Sequence, residues 1–409
     1  MNKLGKKNKI RIVDFAFIWY VITIFLYTDK AEKIYISNYA FLFFFILAIF
    51  YIFKDKNGKT EILPLIIFLP FVVFSWVTCA FAISVSLAFE KVITLTSLFI
   101  MGFLVYNIYD RRDEFFQIII IAIMLGGFVV ALHVVFSEGI YNIIFGIIHG
   151  KRVGKNVLQL NYLGRYTAYS AMISFFYAYG LKKYYLYFIT IISAVVCVGS
   201  QSRQAMFALI VSVFIIWFST NHYERYYDKI LSTIIKLNLV ITAVILVLRL
   251  PVFSSLTNRI ISGISVVTDN GLNSFSDYER LYMIQFGFNV FLEHPFLGIG
   301  LGNVREVVTG IISKYGYLHN NYIELLACGG IIGFFSYYGI YFKIFKDIKT
   351  DKSDKFKNLV IAILISSLVL DFFAVTYYSK IQWLLFIFIF LSGNANREKT
   401  IEKYINNTD

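Results

Sequence analysis

Arg203, Arg280 and His319 are the residues of this chain best suited to chemistry on an anionic, hydroxyl-bearing substrate. Arginine presents a planar fork of donors that stays protonated, so it holds phosphate-type oxygens without losing its charge. Histidine near neutral pH can take a proton from a hydroxyl and pass it on. A second set of cations, Lys151, Arg152, Lys155 and Arg165, has Asn161 in its midst and no acid between its members. It suits either a polyanion or the headgroups of a membrane surface. Next to His319 stands Asn320, and upstream Gly298 and Gly300 lie in the turn-forming run 295–303, where glycine lets a backbone approach a ligand closely. These are the candidate substrate-binding residues.

Each has a structural alternative. Arg203 can snorkel at a helix end, and Arg280 can pair with Asp277 or Glu279 in the first turn of a helix. His319 can be a turn residue ahead of a helix capped by Asn320 or Asn321. His294, before Pro295, reads better as a helix terminus than as a second base. Asp277 and Glu279 have the look of a metal-binding acidic pair, but acids in a first helical turn need only the helix dipole to explain them. No metal and no cofactor is assigned. Cys79, Cys197 and Cys328 each fall inside an apolar run, as buried free thiols with neither disulfide nor metal spacing.

What must position these residues is a membrane. The 409 residues are 58% hydrophobic and 15% charged, with 43 Phe and 30 Tyr and a mean hydropathy of +0.70, far more apolar than a soluble domain requires. The net charge of +13 is not gathered on a soluble face as nucleic-acid binding would need. It falls in short runs between apolar segments, and there it marks topology. Twelve segments qualify as spans, near 12–27, 34–53, 62–82, 91–109, 115–136, 162–181, 184–199, 204–220, 237–250, 322–342, 359–377 and 381–391. The expected fold is therefore all-α: a polytopic integral membrane protein of about 12 transmembrane helices with one large extracytoplasmic loop bearing an amphipathic helix.

Most Lys and Arg fall inside when the N-terminus is cytoplasmic, and the outer ones gather in two longer loops, 151–165 and 249–314. Both termini are then cytoplasmic, in a bacterial plasma membrane. The expected organisation is a membrane domain over 1–250 with spans one to nine, the large loop at 251–321, spans ten to twelve over 322–392 and a cytoplasmic tail at 393–409. In the loop, Ser276 to Glu279 fits a capping box ahead of Leu281, Ile284, Phe288, Phe291 and Leu292 at helical spacing, a helix that ends near His294 and Pro295. Asp371 lies inside the eleventh apolar run, where an ionisable group is either functional or neutral and hydrogen-bonded between helices.

The run from Glu293 to Phe334 reads H-P-F-x-G-x-G-x-x-N and then H-N-x9-G-x-x-G, with Ser202-Arg203 and Arg280 upstream. In that order and common outer placement it resembles the O-antigen ligase and O-antigen polymerase family of bacterial surface-polysaccharide assembly. The resemblance implies glycosyl transfer from an undecaprenyl-diphosphate-linked oligosaccharide, with no nucleotide sugar and no metal. Arg203 and Arg280 would clamp the departing diphosphate, His319 would act as base on the acceptor hydroxyl, and Arg152 would be the substrate contact of its cluster. The implied partners are that lipid-linked oligosaccharide, the bilayer, and flippase and chain-length regulator proteins; no nucleic acid is implied. A polymerase joins one lipid-linked repeat unit to another, whereas a ligase moves finished glycan to a different acceptor. Abundant Lys, Asn, Ile, Tyr and Phe point to AT-rich coding, common in Gram-positive bacteria without a lipid A acceptor, and so to a polymerase. A non-enzymatic flippase of the same lipid would want charges along its spans on both sides of the midplane.

Overall fold

The computed structural model describes residues 10–54, 63–110, 115–219, 238, 275–308, 316–350 and 356–406. Among these residues all regular structure is helical. The α-helices are α1 (Ile12–Tyr27), α2 (Ile34–Lys54), α3 (Leu69–Thr78), α4 (Val85–Tyr109), α5 (Gln117–Glu138), α6 (Ile140–His149), α7 (Leu160–Phe175), α8 (Tyr187–Gly199), α9 (Arg203–Ser219), α10 (Phe275–Glu293), α11 (Val304–Val308), α12 (Asn321–Thr350), α13 (Lys357–Asp371) and α14 (Lys380–Asn406). Those long and apolar enough to cross a membrane are α2, α4, α5 and the Asn321–Ile348 part of α12, with shorter apolar helices beside them. The chain is a multi-pass helical membrane protein. The ninth expected span, apart from Asn238, and residues 251–274 of the large loop lie outside the described residues.

Several expected spans are interrupted for local reasons. The third becomes a 3-10 turn, Leu63–Phe68, leading into α3, with Pro64 in the turn and Pro70 in the first helical turn, where a missing N–H costs no hydrogen bond. The sixth ends its α-helix at Phe175 and continues as a π turn, Phe176–Gly180. The eleventh stops at Asp371, and residues 372–379 form turns rather than two more helical turns.

The chain divides into two compact units. The first comprises Met1–Ala122, Tyr282–Lys357 and Asp371–Asp409. In it α1 packs on α2, α3 on α4 and α12, and α14 on α4. Its centre is aromatic: Phe68 stacks on Trp383 at 4.9 Å, Phe71 meets Tyr337 at 5.2 Å and Tyr341 meets Phe386 edge-on at 5.0 Å. Such pairs add about 0.5–1.5 kcal/mol each beyond the area they bury.

The second unit comprises Ile123–Leu281 and Asn358–Leu370, with α7 packed between α8 and α9. Small and hydroxylic residues bring its helices together, as lipid offers no hydrophobic force to do so. A Cβ on Gly127 would stand 2.2 Å from the Tyr166 carbonyl oxygen, so α5 and α7 touch backbone to backbone there. Ser193 donates to Ser170 at 3.0 Å, and Thr190 to Ser174 at 2.9 Å, across the α7–α8 seam.

Candidate functional site

In the first unit the site is built around a break in α12. Gly330 has φ +58° and ψ −163°, so the helical bonds across it cannot form. An unbroken helix would join the Ile331 N–H to the Ala327 carbonyl and the Ile332 N–H to the Cys328 carbonyl. The run 295–300 supplies partners for those same four groups. The Ala327 carbonyl accepts from Ile299 N–H at 3.1 Å and the Cys328 carbonyl from Gly300 N–H at 2.9 Å. Ile331 and Ile332 donate to the carbonyls of Pro295 and Phe296 at 2.8 and 3.2 Å. These four backbone groups are thereby satisfied, as a non-aqueous interior demands.

This exchange explains the glycines of the motif. A Cβ on Gly298 would stand 2.3 Å from the Cys328 carbonyl carbon, and one on Gly330 2.3 Å from that of Phe296. Gly298 and Gly300, expected to let a backbone approach a ligand, here let it approach the chain itself, Gly300 lying against Ala82. Asn303 is fully buried and ties the same loop to the start of α4, its Oδ1 accepting the Ser84 N–H at 2.5 Å. Gly302 leaves room for the stem of Lys91, whose ammonium lies 3.8 Å from the centroid of the Tyr378 ring and within electrostatic reach of Glu324 and Arg305.

His319 stands at the head of α12. It is half-buried, adopts φ +58°, and its ring centroid lies 4.3 Å from that of Tyr317. A left-handed histidine costs on the order of 1 kcal/mol and persists only where its surroundings hold it. They do so on both sides. Before it, the Leu318 N–H donates to Glu324 Oε2 at 2.7 Å. After it, Asn320 caps α12 by accepting the Ile323 N–H at 3.0 Å and donates to the Phe372 carbonyl at 3.2 Å. Asn321 Oδ1 accepts the N–H groups of Thr376 and Tyr377 at 2.9 and 3.1 Å, and its amide donates to the Tyr338 hydroxyl at 2.9 Å. Asp371, fully buried, receives the hydroxyls of Tyr338 at 3.0 Å and of Thr376, and the Asn321 amide at 3.5 Å. The turn that presents His319 is thus clamped to the segment following α13.

In the second unit three segments meet. The carboxamide nitrogen of Gln201 donates to the carbonyls of Lys151 at 3.2 Å and Gly146 at 3.4 Å, and Val153 N–H donates to the Gly199 carbonyl at 3.0 Å. Ser202 contacts Asn161 at 3.4 Å. A Cβ on Gly164 would come within 2.7 Å of Ser202 and 2.9 Å of Ala205, so the first turns of α7 and α9 are in contact beside Arg165 and Arg203. Arg165 lies over the Tyr162 ring at 4.7 Å and donates to the Asn161 carbonyl at 3.4 Å. Lys151, Arg152 and Lys155 are exposed and Arg203 is half-buried. The cations of the 151–165 stretch are therefore brought to the turn that carries Arg203.

Arg280 is half-buried on α10. The side chains of Asp277 and Glu279, its expected alternative partners, lie outside the described residues. The helix ends at Glu293, and His294 follows it with its N–H on the Val290 carbonyl at 3.0 Å, a terminus as expected.

Residues 188–338 match the O-antigen ligase family. The match supports the O-antigen ligase and polymerase family that the motifs resemble, and it contains Arg203, Arg280, the glycine loop, His319 and Asn320. The 151–165 cations, Lys91 and Asp371 lie outside it. No curated protein matches the chain. Lys91, Glu324 and Tyr338 were not singled out from the sequence, and Asn321 only as an alternative helix cap. A lone lysine or glutamate at the end of an apolar run was the available signal.

Proposed function

We propose that the chain is a membrane glycosyltransferase that polymerises undecaprenyl-diphosphate-linked oligosaccharide repeat units into capsular or O-antigen polysaccharide on the outer face of the plasma membrane. The observation that carries it is that Arg203, Arg280 and His319 all fall within the segment matching the O-antigen ligase family. Arg203 and Arg280 bind the diphosphate of the donor and stabilise the charge that grows on it as the bond to the first sugar breaks. His319 takes the proton of the attacking sugar hydroxyl. The side chains of Asn320 and Asn321 hold its left-handed turn and so keep the ring in one place. The 151–155 loop and Arg165 add positive charge beside Arg203, where a lipid-linked diphosphate enters.

The family description favours a second assignment, a ligase, which uses the same donor and differs only in its acceptor. One experiment separates them. Purified protein in lipid receives undecaprenyl-diphosphate repeat units without metal or nucleotide sugar, with and without lipid A-core. A ladder of lengthening products without lipid A-core is the expected outcome. Product that appears only when lipid A-core is added identifies a ligase, and no product in either arm removes the enzymatic proposal.

A further inference from the structure

The helix α6 was not expected from the sequence, and it is ten residues long. At 1.5 Å per residue it reaches about 15 Å, half of what a bilayer core requires. One side is packed into the second unit. Ile143 and Gly146 are buried, and Gly199 of α8 stands against Ile143 and Ile147. The other side carries Ile140, Tyr141, Ile144, Phe145 and Ile148, all exposed, Tyr141 to 75%. The chain leaves α6 through Gly150 at φ +67° and enters Lys151, Arg152 and Lys155, with no acid from residue 139 to residue 165. Glu138, the acid just before, is turned onto the backbone, where its Oε1 accepts the Gly154 N–H at 2.8 Å.

Gln201 couples this piece to Arg203. Its amide donates to carbonyls at the end of α6 and the start of the basic loop, while its Oε1 is buried without a partner among the described residues. An apolar strip about 15 Å long that ends in clustered cations, with a buried acceptor behind them, matches one molecule bearing an apolar chain, two phosphates and a hydroxyl-rich head. Free phosphate has no tail for the strip.

We propose that α6 and the 151–155 loop are the docking site for the polyprenyl diphosphate of the donor lipid. The exposed side of α6 takes the isoprene units nearest the diphosphate, the loop cations take the diphosphate, and Gln201 holds both in register with Arg203. The inference rests on the lipid-diphosphate chemistry proposed above and adds where the lipid is held.

The test is photo-crosslinking of the purified full chain in lipid nanodiscs with polyprenyl diphosphate carrying a photoreactive group on its proximal isoprene. Label is expected on residues 140–155, displaced by untagged undecaprenyl diphosphate but not by a large excess of phosphatidylglycerol. In Ile144→Ser/Ile148→Ser protein of unchanged melting temperature it should fall about ten-fold, the loss expected when two aliphatic contacts of a lipid tail are removed. Label displaced equally by phosphatidylglycerol makes α6 a general lipid surface and overturns the inference. Label confined to other segments, in protein that still elongates glycan, overturns it too while leaving the enzymatic proposal standing.

Discussion

The side-chain oxygen of Asn321 accepts the backbone N–H of Tyr377 at 3.1 Å, joining the turn that presents His319 to the segment after α13. The same oxygen takes the Thr376 N–H, and the amide on the other side of the group reaches Tyr338 and Asp371. Replacing it with an isosteric apolar group leaves two backbone donors and a buried carboxyl short of partners, each worth about 1–3 kcal/mol. Asn321→Leu should therefore lower the melting temperature of the purified protein markedly and reduce glycan synthesis. An unchanged melting temperature would mean that the clamp carries no weight.

Two glycine substitutions in one helix should behave in opposite ways. Gly330→Ala puts a methyl group on the Phe296 backbone at a left-handed position, so folded protein should be scarce and unstable, a cost above the 1–3 kcal/mol of the backbone strain alone. Gly339→Ala meets nothing within 4 Å and should be neutral or stabilising by up to about 1 kcal/mol. Detergent-extracted yield and thermal melts of the two variants decide this. Equal behaviour would remove the break at Gly330 as the reason for the glycine.

Orientation follows from the distribution of Lys and Arg, and it places Lys346 inside and Lys155 outside. Both side chains are exposed. A cysteine at position 155 should react with an impermeant thiol reagent in intact cells, and one at position 346 only after the membrane is opened. The reverse pattern would invert every assignment of the outer face.

Helix existence was legible in the sequence because apolar runs of this length have no other stable form in a bilayer. So was the head of α12, since Asn320 at a helix start has a fixed geometric meaning. The exchange of hydrogen bonds between 295–300 and 327–332 was not, because it pairs segments far apart in the chain and leaves no periodicity. The stripe expected on α10, Leu281, Ile284, Phe288, Phe291 and Leu292, suited either the membrane surface or the neighbouring spans, and periodicity alone did not choose between them. The side packed inward runs through Met283, Gly287 and Val290, with Gly287 against Leu318 and Ile323, while Phe288 and Leu292 are exposed. In a membrane protein small residues let helices approach one another, which suits an inward side that includes Gly287. Asp371 was visible as a costly charge in an apolar run, but its partners Asn321, Tyr338 and Thr376 come from other turns of the fold.

Arg203→Lys and Arg280→Lys keep the charge and lose the planar fork that grips two phosphate oxygens at once. Each variant should insert normally and lose most polymer. Polymer of normal length and amount from both would leave the diphosphate clamp without support.

The central claim is that His319 accepts the proton of the acceptor hydroxyl, and His319→Asn tests it most directly. Asparagine tolerates the left-handed φ of +58° and keeps a hydrogen-bonding group there, yet it cannot take a proton near neutral pH. The variant, purified into lipid and given undecaprenyl-diphosphate repeat units, should melt like the wild type while elongation falls by roughly 10²–10⁴-fold, the range for losing a general base. Elongation near the wild-type rate would show that His319 only shapes the turn and that the base lies elsewhere.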